Sequence, residues 1–238
     1  MLKYLFFAVI SIILALTPQS LASEKLDYDY ISSLLSEEKL DEAAAILTRH
    51  IAKDSKDESA LSLLGDIYRR KREHGTALKY LNKALSINAD YPPAHLYLGK
   101  LYFSMQRFDE AVNEFDIFRK IATDYGIMIT DQDFYIGNLQ DISLLYFSIK
   151  RYKEAAALLN EILIISPSNQ VALYNFGIYY YQSERNRSMA YRYFTKAIEI
   201  DPKSSVAAKA RYAIEFIRTN PDPRVTPDFS FIDQEYHD

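Results

Sequence analysis

Residues 61–84 read LSLLGDIYRRKREHGTALKYLNKA, and the spacing of small and aromatic residues in this stretch governs the rest of the chain. Leu61, Leu64, Gly65 and Tyr68 fall at i, i+3, i+4 and i+7, which is one face of a helix. After a short polar break, Ala77, Leu81 and Ala84 continue at the same period. A Gly or Ala on an otherwise bulky apolar face marks a close approach of two backbones, because a larger side chain would push them apart.

The pattern recurs in both directions. Ala43, Ala77, Ala111, Ala155 and Ala190 are separated by 34, 34, 44 and 35 residues. Tyr68, Tyr102, Tyr146 and Tyr180 follow with gaps of 34, 44 and 34. Gly65, Gly99 and Gly177 share the frame, and Ser143 takes the remaining slot. Leu47, Leu81, Phe115, Leu159 and Phe194 stand four positions after each Ala, and Pro167 and Pro202 close the last two units. A constant period of this length is the mark of a repeat architecture. No such unit can bury its apolar face alone, so stacking supplies the core.

These residues resemble the tetratricopeptide repeat family. Its unit is a helix–turn–helix with a Leu-Gly pair, a Tyr, a central Ala, an aromatic or Leu, a second Ala and a Pro. The resemblance covers roughly residues 24 to 203 in five units. It implies an all-α solenoid of about five helix pairs in a right-handed superhelix. It also implies a non-enzymatic scaffold that binds a partner polypeptide in a concave groove. Some members hold a C-terminal carboxylate with Lys and Asn on the first helix. The corresponding slots here hold Ser62 and Asp66, with Tyr97 in the next unit, so that clamp is not expected.

Departures from the pattern carry their own expectations. The first unit has Ile31 in the Gly slot and His50 in the second Ala slot, as befits an atypical terminal repeat. The third unit has Phe118 in the second Ala slot, and its ten-residue excess falls near residues 122–133. There a long second helix is expected to break at Gly126 and expose Ile127, Met128 and Ile129. The fifth unit carries one extra residue near Asn186, Arg187 and Ser188, in its internal turn. After Pro202, the spacing of Val206, Ala210, Ile214 and Ile217 predicts a capping helix ending at Arg218, with Ser204 or Ser205 as N-cap. Residues 219–238 hold five acids beside Phe229, Phe231, Ile232 and Tyr236. They are expected to form a flexible tail or a strip that docks on the body or a partner.

Residues 1–22, MLKYLFFAVISIILALTPQSLA, combine Lys3, an apolar run from Tyr4 to Leu16 and a small-residue site at Ser20-Leu21-Ala22. This is a signal-peptide pattern with cleavage before Ser23. A periplasmic mature protein without a membrane span is the simplest destination; secretion beyond the envelope and an uncleaved anchor are the alternatives.

Composition closes off other classes. The formal net charge of −4 gives no basic footprint for nucleic acid. Cys is absent, which excludes disulfides and thiolate chemistry. His50, His74, His95 and His237 include no pair at ligand spacing, so no metal or cofactor is expected. Nucleophile-elbow, P-loop, dinucleotide and zinc-protease motifs are missing, so no enzyme is expected. A regulatory or accessory subunit of an envelope enzyme, or of a secretion, pilus or polysaccharide-export complex, is the alternative to a free-standing scaffold.

Rotation by about 100° per residue places Ser62, Asp66 and Arg69 opposite the packing face of their helix. The same rotation gives Leu96, Lys100 and Phe103, then Gln140, Leu144 and Phe147, then Tyr174, Ile178 and Tyr181. The groove is thus predicted to be polar in its N-terminal half and apolar in its C-terminal half. The predicted partner-binding residues are Leu96, Phe103, Leu144, Phe147, Tyr174, Ile178 and Tyr181, with Tyr174 and Tyr181 outside the helix crossings. The run from Arg69 to Arg72 reads either as cations complementing a helix C-terminus or as a contact for an acidic partner.

Overall fold

The computed structural model describes residues 26–124, 126 and 131–220. Among these residues there are eleven α-helices and no strand. The first five are α1 (Tyr28–Ser36), α2 (Leu40–Lys53), α3 (Glu58–Arg70), α4 (His74–Ile87) and α5 (Pro92–Ser104). They lie in a compact unit that ends at Met105. The second unit starts at Gln106 and holds α6 (Phe108–Asp124), α7 (Gln132–Ser148), α8 (Tyr152–Ile165), α9 (Gln170–Gln182), α10 (Arg187–Ile200) and α11 (Ser205–Thr219). The segment read as a signal peptide (residues 1–22), residues 127–129 and residues 221–238 lie outside the described residues.

Odd-numbered helices up to α9 are the first helix of each repeat, A, and even-numbered ones are the second, B. The A and B helices cross at the small residues. A Cβ added to Gly65 would stand 2.5 Å from Leu81 Cγ, and one added to Gly177 would stand 2.5 Å from the ring of Phe194. Ala77, Ala84, Ala155, Ala190 and Ala197 are fully buried. Aromatic side chains fill the remaining space. Tyr68 stacks on Tyr80 with centroids 5.5 Å apart, and Tyr180 stacks on Tyr193 at 5.3 Å, the same A–B pair in two different repeats. Ser143, standing in for Gly, is buried with its hydroxyl donating to Gln140 O at 2.7 Å.

Every A–B turn uses one residue in the left-handed region, and none is Gly: Glu38, Arg72, Gln106, Lys150 and Arg185, with φ between 50° and 62°. The N–H that follows returns to a carbonyl in the last turn of helix A: Lys39 to Leu34, Glu73 to Tyr68, Arg151 to Tyr146. This is the Schellman closure. In the last repeat the equivalent bond runs from Asn186 to Tyr180, one residue longer, which locates the extra residue in that turn as its sequence predicts. At the other end, side chains of Asp27, Asp57, Asp131, Asn169 and Ser204 accept the N–H three residues on and cap α1, α3, α7, α9 and α11.

The ten-residue excess is shared among three places. α6 has 17 residues where the other B helices have 14, and α7 has 17 where α3, α5 and α9 have 13. The rest lengthens the connection between Asp124 and Gln132. Gly126 has φ +71°, at the break its sequence predicts. The extension is pinned by polar contacts. Arg119 of α6 pairs with Glu161 of α8 at 2.6 Å, and the Tyr135 hydroxyl of α7 donates to the same carboxylate. Burial, then that carboxylate, pushes the Tyr135 phenol up to about 12. Phe118 packs on Tyr135 with centroids 6.1 Å apart, which accounts for a Phe in a slot that other units give to Ala84 and Ala197.

α11 is the predicted capping helix, with Ser204 as its N-cap. It buries Ala207, Ala210, Ala213 and Ile217, while Val206 and Ile214 are only half-buried.

Two substitutions test these crossings and turns. Gly177→Ala gains up to about 1 kcal/mol of helix propensity, but overpacking against Phe194 costs about 1–3 kcal/mol, so a lower midpoint in thermal unfolding is expected. Lys150→Gly removes left-handed strain of about 1–3 kcal/mol against a chain-entropy cost of about 0.5–1 kcal/mol, so the midpoint should hold or rise. Lys150→Val should lower it.

Candidate functional site

The outward row of the A helices divides sharply by burial. In the first unit, α5 packs directly against α3, and Ser62, Asp66 and Leu96 on those helices are buried. Leu96 therefore belongs to the interior rather than to an open groove, and Phe103 is half-buried. In the second unit, Tyr174 and Tyr181 are 9% and 1% exposed and join one apolar cluster with Phe194, Ala210, Ala213 and Ile217. The expectation that these two Tyr residues stand clear of the packing is corrected: α11 packs Ala210, Ala213 and Ile217 into the same cluster.

The remainder of the row is accessible. Leu144 on α7 is 51% exposed, whereas Phe147 and Ile178 are half-buried. Leu144 and Phe147 lie three residues apart on one helix face. Ile178 on α9 holds the slot of Leu144 one repeat later, 34 residues on. Gln140, four residues before Leu144, donates to the Asn169 side chain at 2.9 Å and so ties α7 to the start of α9. Phe147 rests edge-on against Tyr152 at 5.9 Å, which fixes its rotamer. On α9, the Nδ2 of buried Asn175 has no hydrogen-bond partner among the described residues. An unmade buried donor is costly.

The polar half of the row is neutralised from within. Asp66 accepts from Arg69 Nε and Arg70 Nε, both at 2.8 Å. Arg70 also reaches Leu35 O and Glu38, and Lys71 pairs with Asp41 at 2.7 Å while lying 5.5 Å from the Tyr68 ring centroid. The basic run thus fastens the first repeat to the second, beyond the dipole role assigned from sequence.

A second polar cluster lies at the α2–α3 corner. Asp57 caps Ala60 N at 2.9 Å, accepts the Tyr28 hydroxyl at 2.7 Å and 2.8 Å, and meets His50 Nε2 at 2.8 Å. Burial alone would raise the Asp57 carboxyl, but the hydrogen bonds from Ala60, Tyr28 and His50 outweigh it and hold the group below its ordinary value. His50 also lines a cavity of about 520 Å³ with Leu26, Asp27, Tyr30, Ile46, Arg49 and Lys53. Sequence inspection for paired His residues passes over this corner, because its other groups are carboxylates.

Helix pairs crossed at Gly and Ala, with left-handed turns and an apolar row on the A helices, define a helical-repeat protein. The sequence matches the tetratricopeptide repeat over residues 28–94, 69–124 and 171–204, together more than half of its 238 residues. The chain belongs to the tetratricopeptide-repeat family. Among solved structures, the Pseudomonas aeruginosa protein pilF is similar with a TM-score of 0.60 and 15% identity, over 88% of this chain and 94% of that one. MamA gives 0.57 and 20%, over 75% and 96%. YrrB, described as a TPR protein with an unusual peptide-binding site, gives 0.53 and 20%, over 77% and 89%. At these identities the likeness establishes a shared fold. No curated protein matches the sequence.

The Asp57 geometry sets a pH signature. A carboxyl held low in the folded state contributes stability above its ordinary value of about 3.9, and that stability is lost as pH falls through the folded value. Asp57→Ala should cost about 1–2 kcal/mol at pH 7 through the lost cap. Urea titrations should show this gap to be constant down to about pH 4 and narrowing below it.

Proposed function

We propose that this protein is a non-catalytic adaptor of the bacterial cell envelope that holds a segment of a partner polypeptide against α7 and α9. The observation that carries this is Leu144, a large apolar side chain half open to solvent on the face shared with Phe147. Exposed apolar groups clustered in this way mark interaction sites, and an apolar centre with an aromatic wall is the usual composition of an interface core. A segment laid on this row would bury Leu144 and cover Phe147 and Ile178. Tyr174 and Tyr181, in the apolar cluster against which Ile178 packs, then form part of the support beneath the site. YrrB, which shares the fold, is described as having a peptide-binding site.

Two features speak for an adaptor over an enzyme. The one carboxylate that sequence places in the groove, Asp66, is engaged by two guanidinium groups. The repeat positions carry packing residues, Ala, Gly, Tyr and Leu, rather than reactive groups. The envelope location rests on the leader pattern of residues 1–22.

A photoreactive amino acid at position 144 should yield a covalent adduct with a defined partner in intact cells. The same group at Ile164, which is 73% exposed on α8, should not. Leu144→Asp should abolish capture of that partner while leaving the thermal midpoint within about 2 °C, as for surface substitutions generally. Equal adducts from both positions, or capture that survives Leu144→Asp, would place the site elsewhere. Mass spectrometry of the mature protein from the envelope fraction should give a first residue of Ser23; a chain beginning at Met1 would defeat the leader assignment.

A further inference from the structure

His50, Asp54 and Asp57 converge where α2 gives way to α3. His50 and Asp54 are one helical turn apart, with Asp54 the C-cap of α2, and Asp57 is the N-cap of α3. Each residue offers one ligand atom, and the three atoms lie within 4.8 Å of one another. We propose that this corner binds one divalent transition-metal ion of the Zn²⁺ class, held by the His50 imidazole and the carboxylates of Asp54 and Asp57.

The spacing suits an ion of that size. Zn–N and Zn–O bonds of about 2.0–2.2 Å set neighbouring ligands of a tetrahedral ion roughly 3.3 Å apart. His50 Nε2 and Asp57 Oδ2, at 2.8 Å, need to part only slightly to admit it. Asp54 is exposed, and its carboxylate makes a local contact to Lys56 N at 3.1 Å, so it can swing inward at small cost. One imidazole with two carboxylates is a mixed nitrogen and oxygen set, which suits Zn²⁺ rather than a soft thiophilic ion.

The surroundings are built for this task in a way that a chance surface cluster is not. The Tyr28 hydroxyl, which reaches both carboxylate oxygens, and the Ala60 N–H on Oδ1 hold the Asp57 carboxylate in place, as outer partners orient metal ligands. His50 occupies the slot where later repeats place Ala84 and Ala197, so the repeat itself gives no reason for an imidazole there. Three protein ligands leave a fourth position of a tetrahedral ion for water or for a donor atom of a bound molecule. His50 also faces the cavity of about 520 Å³ walled by Ile46 and rimmed by Arg49 and Lys53, so a molecule could reach that position from there.

The test uses the full-length, tag-free protein stripped with a chelator and titrated with ZnCl₂ by calorimetry. Binding of one ion per chain is expected, with a rise of several degrees in thermal midpoint at a free concentration about 100 times the dissociation constant. Co²⁺ in place of Zn²⁺ should show the visible absorption of a tetrahedral nitrogen and oxygen site. Asp54→Asn should weaken Zn²⁺ binding by about tenfold or more and leave the metal-free midpoint unchanged, since Asp54 is exposed and Asn retains its cap. His50→Ala should abolish the Co²⁺ spectrum. The proposal is overturned if no ion binds, or if either variant binds Zn²⁺ as tightly as the wild type, which would move the ion to another His such as His74 or His237.

Discussion

At Gly177 an added methyl group would lie 2.5 Å from the ring of Phe194, and at Gly65 the same distance from Leu81. How closely two helices can approach at these points sets everything built on them. In the second and fifth repeats the A helix presents Gly to the large residue on its B helix, Leu81 or Phe194, and the B helix returns Ala77 or Ala190. The pairing lets stacked Tyr rings such as Tyr68–Tyr80 bridge the helices at their edges. In the fourth repeat the slot holds Ser143, whose hydroxyl is absorbed by its own helix backbone, and in the atypical first repeat it holds the buried Ile31. Close packing of this kind makes the core intolerant of added volume. Tolerance is found instead in the turns, the caps and the connection between α6 and α7.

That division explains what the sequence discloses. Ala, Gly and Tyr at 34-residue intervals reveal the helix pairs, and a single surplus residue in the last turn reappears as a hydrogen bond spanning one residue more, from Asn186 to Tyr180. The turns themselves are hidden, because Glu38, Arg72, Gln106, Lys150 and Arg185 adopt a left-handed conformation that nothing in their chemistry advertises. The outward row is legible only in part. A helical wheel assumes one packing partner per helix, but α3 is flanked by another A helix as well as by α4, and α9 is flanked by α11 as well as by α10. Leu96, Tyr174 and Tyr181 are therefore interior, although each lies opposite the first packing face. Leu144 stays exposed.

The charged residues follow the same logic at longer range. Four consecutive cations from Arg69 to Arg72 look like a patch for a partner. Three of them are consumed: Arg69 and Arg70 by Asp66 on their own helix, and Arg70 and Lys71 also by Glu38 and Asp41, which lie 32 and 30 residues away in sequence and are invisible to local inspection. The α2–α3 corner is the converse case. His50, Asp54 and Asp57 are close in sequence, yet their meaning depends on Tyr28, which approaches from α1. Electrostatic significance here is fixed by which residues remain after the chain has satisfied itself.

The sealing of α9 and α10 by α11 has a consequence for assembly. The last turn of a helical stack is a template, since whatever face it offers can accept another copy of the same motif and the array can lengthen without limit. α11 joins Tyr174 and Tyr181 in one cluster through Ala210, Ala213 and Ile217, and turns Arg211, Glu215 and Arg218 outward. A charged exterior does not nucleate a further layer, so growth from this end is terminated by the chain's own code. Proteolytic loss of α11 would restore two aromatic rings to an open face, converting a finite module into one with an adhesive end.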